Sequence, residues 1–172
     1  MTATILRGGE LVEDEWTMVE DGPTNAESAG GKVIVTLARW RTEGEALLCS
    51  HPAVGVLVPN TADIEAIHPE IGERPLIALQ FPAFSDGRAL SQAVVLRRRL
   101  GFSGELRAVG DVIRDLVFWL GRCGFDSIVP RGDQSLETCR AALTELTVAY
   151  QAAADAHAPV WVRRRATTAM TR

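Results

Sequence analysis

The sequence has few cysteines and no paired set of them. Cys49, Cys123 and Cys139 are odd in number and widely spaced, which argues against a disulfide framework and suits reduced thiols. Long hydrophobic runs are also missing. None approaches the roughly 18 apolar residues of a bilayer crossing, so no membrane span is expected. The N-terminus has no charged region leading into an apolar stretch and a small-residue cleavage site, so a cytoplasmic location is the expectation. Nor is positive charge in excess. A net charge of −4 supplies no general electrostatic reason to bind nucleic acid.

Several chemical signatures are absent as well. There is no CxxC, no HExxH and no thiolate cluster of iron–sulfur type. Cys49 and His51 stand too close together to suggest a familiar ligand pair on their own, and His68 and His157 are isolated. No metal site is expected. No GxGxxG follows a predicted strand, so an autonomous NAD- or flavin-dependent enzyme has little support, and the cofactor stays undefined.

What remains is a chain of 172 residues, 47% hydrophobic and 23% charged, long enough for one substantial core. Five apolar runs rich in β-branched residues alternate with helical segments: Val33–Leu37, Val54–Val58, Leu76–Phe81, Glu105–Val109 and Ser127–Val129. That alternation predicts an α/β fold with a mainly parallel sheet of about five strands, flanked by helices and either open or resembling part of a βα barrel. The run Val54-Gly55-Val56-Leu57-Val58 lacks polar alternation, as a strand buried on both faces does.

Residues 1–31 differ in character. Ile5-Leu6 and Trp16–Val19 read as short strands of an N-terminal β extension around a Gly8-Gly9 turn, and Asp21–Gly31 reads as a linker. An α/β domain is expected over 32–156, followed by a basic tail over 157–172 with Arg163, Arg164, Arg165 and Arg172. We assign that tail no function.

Helical spacing recurs between the strands. Val112, Leu116 and Leu120 form one apolar stripe. Leu136, Cys139, Leu143, Leu146 and Tyr150 form another along a last long helix, with Cys139 on the apolar face. Asp86, Asp111 and Ser135 precede helical patterns, where they are expected to cap. Gly101, Gly110 and Gly124 fall at breaks where positive φ is useful.

Ligands of parallel α/β sheets meet the loops at the carboxyl ends of the strands. That rule selects Gln80, Ser85, Asp86, Gly87 and Arg88 after the third predicted strand, Gly110 and Asp111 after the fourth, and Arg131, Gly132 and Asp133 after the fifth. Arg88 and Arg131 would hold a small anion such as sulfite, sulfate or phosphate, with Gly87, Gly110 and Ser91 around it. Alternatively, Asp86 and Asp111 cap helices while the arginines pair with them. A third possibility makes Asp86 and Asp111 a catalytic acid and base, in a cofactor-independent lyase or isomerase acting on a small phosphorylated or carboxylated metabolite. A fourth reading is a protein-interaction module whose helices dock a reductase subunit, which requires a sizeable exposed apolar patch and no enclosed pocket. Cys123, at a helix C-terminus on the opposite face, reads as structural.

The segments LIALQFPAFSDGR, GELRAVGDVIRD and RCGFD resemble an uncharacterised bacterial family, the one numbered 934 among domains of unknown function. The matching residues include Phe81, Pro82, Phe84, Asp86, Gly87, Arg88 and Ser91, then Gly104, Glu105, Leu106, Arg107, Gly110, Asp111 and Asp115, then Arg122 to Asp126. The family has Gly-Tyr-Ser after its Asp-Gly-Arg, whereas this chain has Ala89-Leu90-Ser91. That departure removes a glycine and an aromatic hydroxyl from the turn. The resemblance implies a setting in assimilatory sulfite reduction, beside whose genes the family is commonly encoded and where members are labelled probable oxidoreductases. It implies an accessory role toward a cofactor-bearing reductase, with a sulfite reductase subunit as partner, and leaves the reaction undefined.

Overall fold

The computed structural model describes residues 3–19, 31–146, 148–155 and 158–163. All of the expected linker except Gly31, and the basic tail after Arg163, lie outside them. Among the described residues the elements follow one another in the order β1 (Thr4–Arg7), β2 (Glu10–Glu13), β3 (Trp16–Val19), β4 (Lys32–Thr36), α1 (Leu37–Ser50), β5 (Val54–Val58), α2 (Ile64–Ile71), β6 (Leu76–Phe81), α3 (Arg88–Arg98), β7 (Glu105–Gly110), α4 (Arg114–Cys123), β8 (Ser127–Ile128) and α5 (Leu136–Ala142), with a last helical turn over 160–163. No described helix is long and apolar enough to cross a membrane.

The strands form one curled sheet in the order β2-β1-β8-β7-β6-β5-β4-β3. Strands β3 to β8 are parallel, and β1 runs antiparallel to both its neighbours. The expected mainly parallel α/β sheet is present, but it has eight strands rather than about five. The three additional strands all come from the N-terminal stretch, whose short β segments hydrogen-bond into the two edges of the sheet.

The connection between β2 and β3 fixes the curvature. These two strands are the outermost of the sheet, yet only Asp14 and Glu15 separate them. A flat eight-stranded sheet would hold its outer strands about 33 Å apart at roughly 4.8 Å per step. Three Cα steps reach at most about 11 Å. The sheet must therefore curl into a half-barrel, with the run from Glu10 to Val19 passing from one edge to the other. Register lines agree: they pass from Glu10 through Arg7, Ser127, Arg107, Ala78 and Leu57 to Thr36, one residue beyond the Val35–Val19 pair.

Two apolar layers result. Outside the curl, Val56, Ile77, Leu79, Leu106 and Ala108 pack against the helices through residues such as Ile67, Leu96 and Leu120. Inside it, Trp16, Ile34, Leu76, Ala78 and Val109 pack on one another. The concave side also holds Arg107, almost fully buried. Its Nη1 donates to both oxygens of Asp14 at 2.9 Å, its Nη2 to Glu105 Oε1 at 2.8 Å and its Nε to Ser127 Oγ at 3.1 Å. Ser127 Oγ in turn donates to Glu105 Oε1 at 2.5 Å. Asp14 sits in the β2–β3 connection, so this guanidinium ties the crossover to the middle of the sheet.

Removing one partner of a buried ion network leaves the other charges uncompensated. Arg107→Ala should therefore lower stability by about 3–5 kcal/mol in urea unfolding. Asp14→Ala should cost less, because Glu105 still pairs with Arg107. Equal losses in the two variants would contradict this account of the network.

Candidate functional site

The carboxyl ends of the parallel strands bring the predicted loops together. At the end of β7, Gly110 has φ 102°, and a Cβ there would lie 2.3 Å from the Phe81 carbonyl oxygen. Only glycine admits that approach, which lets the Asp111 N–H donate to the same Phe81 oxygen at 2.7 Å. The turn then carries the Asp111 side chain over the loop that follows β6.

Asp111 is the hub of this rim. Its Oδ2 accepts from the Phe84 N–H at 2.9 Å, and its Oδ1 from Arg131 Nη1 at 2.5 Å. Three loops, those after β6, β7 and β8, are thereby joined through one carboxylate. Backbone bonds tighten the assembly: the Arg131 N–H donates to the Val112 carbonyl at 2.9 Å, and the Gln134 N–H to the Arg131 carbonyl at 2.8 Å. Gln134 Oε1 accepts from the N–H of Arg114, the first residue of α4, at 3.0 Å. Ile113, the residue before that helix, supplies no side-chain cap. Asp111 was expected to cap α4. It bridges loops instead, and Gln134 from the next loop satisfies the helix.

Arg131 is shared. Its Nε and Nη2 donate to the two oxygens of Asp133 at 2.7 and 2.8 Å. The Asp86–Arg88 pair closes on itself, with Arg88 Nε donating to Asp86 Oδ1 at 2.9 Å and Nη2 to Oδ2 at 2.6 Å. Asp86 also accepts from the Arg88 N–H at 3.3 Å, while Gly87 is the residue before α3 and Ser91 is exposed in its first turn. Behind this loop lie Asn60 and Gln92, both buried. Gln92 Nε2 donates to the carbonyls of Pro59 and Ala62, whereas its Oε1 makes no hydrogen bond. Asn60 stands near enough to help lower the Asp86 carboxyl, although its Nδ2 makes no hydrogen bond of ordinary geometry.

The electrostatics follow from these contacts. The Phe84 N–H and then Arg131 hold the Asp111 carboxyl below its ordinary value. Arg88 does the same for Asp86, and Arg131 lowers Asp133 to about 2. All three carboxyls are ionised at neutral pH, and none is poised to donate a proton there. Each rim arginine already has a carboxylate partner, the arrangement in which aspartates and arginines neutralise one another. Cys123 ends α4 on the far side, and burial pushes its thiol pKa up. Among the described residues, no group of three or more His, Cys, Asp or Glu side chains could hold a metal ion.

A second region emerges where α5 stops. A helix through Tyr150 was expected, but α5 ends at Ala142 and the chain turns across α4. Arg122 anchors it. Its Nε donates to Asp155 Oδ2 at 2.9 Å and its Nη2 to the Gln151 carbonyl at 2.7 Å. Its own carbonyl accepts from the Ala154 N–H at 2.9 Å. Leu146, Val148 and Tyr150 are left exposed beside Trp119, which stacks edge-on against Phe118 at 5.2 Å. A groove of about 610 Å³ runs here, lined by Phe118, Leu143, Leu146, Val148 and Ala149, with Arg122, Asp155 and Arg163 as its charged members.

The family described as "Bacterial protein of unknown function (DUF934)" matches residues 55–161. The chain belongs to this family. In this DUF934 member the matched segment begins within β5 and extends past α5, so it contains the rim and every groove residue named above except Arg163. No curated protein and no solved structure matches the chain.

Two outcomes test the rim. Gly110→Ala should destabilise the fold by at least the roughly 1–3 kcal/mol of left-handed strain, since the new methyl also meets the Phe81 carbonyl; a neutral result in thermal unfolding would refute that contact. The second concerns pH. Because the folded-state carboxyl of Asp111 is depressed, its stabilisation is present above the unfolded value near 4 and fades as pH falls through the folded value. The Tm gap between wild type and Asp111→Asn should be constant from pH 6 to 8 and shrink below about pH 4. A gap that widened in acid would contradict the latch.

Proposed function

We propose that this DUF934 protein is an accessory protein of sulfite reduction in sulfur assimilation, and that it works by docking a reductase subunit through the outer face of α4. The exposed apolar band of Trp119, Leu146, Val148 and Tyr150 carries the docking part of this reading. Exposed apolar surface of that kind, rich in Trp and Tyr, suits protein recognition. The sulfite-reduction setting rests on the family resemblance alone.

Small-anion binding at the rim is the second reading, favoured by the convergence of three loops on Asp111 and Arg131. Sulfite, sulfate or phosphate would have to displace Asp111 or Asp133 from Arg131, or Asp86 from Arg88. Acid–base catalysis by Asp86 or Asp111 draws less support, because both carboxyls are lowered rather than raised.

The test is co-elution of the purified chain with assimilatory sulfite reductase from the same source. Trp119→Glu and Leu146→Glu should abolish the complex while changing stability by no more than about 0.5 kcal/mol, as surface substitutions do. A complex indifferent to both changes would overturn the docking face. If sulfite instead raises the wild-type Tm and fails to do so in Arg131→Ala, the rim reading replaces it.

A further inference from the structure

We draw no further inference here: the strongest candidate, the exposed apolar face beside α4 with Trp119, Leu146, Val148 and Tyr150, belongs to the docking surface already proposed, and nothing in the structure shows what covers it.

Discussion

One buried guanidinium holds this architecture in its curled form. Arg107 lies in β7 near the middle of the sheet, and its side chain points to the concave side, where water does not reach it. A charge there is costly unless it is paired and fully hydrogen-bonded. Glu105 and Ser127 come from the same strand and its neighbour, but Asp14 comes from the two-residue connection between opposite edges. The requirement to satisfy Arg107 is therefore also a requirement that the edges approach one another. Apolar packing of Trp16 against Ile34 and Val109 acts in the same direction, but without the directional preference of a hydrogen-bonded ion pair.

Strand order decides what the rim can be. β7 lies between β6 and β8 and runs parallel to both, so the loops after these three strands open side by side, and Asp111 in the middle loop reaches both neighbours. The same residue that makes the rim cohesive also neutralises it. Three carboxylates face two guanidiniums among Asp86, Asp111, Asp133, Arg88 and Arg131. The local field consequently does not favour an anion in the way that an unpaired arginine cluster would.

The parallel core was legible because its strands are apolar runs and its breaks are glycines. Gly101, Gly110 and Gly124 all have positive φ, and Ser135 caps α5 through the Thr138 N–H. Cys139 is buried, as its place on the apolar stripe required. The extent of the sheet was not legible, since β1 pairs with β8 from the opposite end of the described chain and β2, only four residues long, carries too little pattern to be read as a strand. Arg107 entered only as a residue of the segment that resembles the family, because the order Glu-Leu-Arg-Ala-Val does not say to which side of the sheet the arginine turns. Only the curl turns that face inward. The end of α5 was missed for a related reason. Leucine spacing continues through Leu146, but the competing tie from Arg122 to Asp155 and Gln151 draws the chain across α4.

That tie bears on which surface is functional. Had the helical stripe continued, Leu143, Leu146 and Tyr150 would have shared one face with Cys139 and been buried along with it. Instead the Arg122 side chain holds an irregular segment in place through Asp155 and the Gln151 carbonyl, and the apolar side chains Leu146, Val148 and Tyr150 of that segment are left in contact with water. Exposure of Trp119, Leu146 and Val148 costs roughly 25 cal/mol for each Å² of apolar surface left wet. A covering partner recovers that energy, whereas an anion arriving at the rim must first break a bidentate pair. The difference in what each ligand has to displace is the physical ground for proposing recognition on α4 rather than on the strand ends.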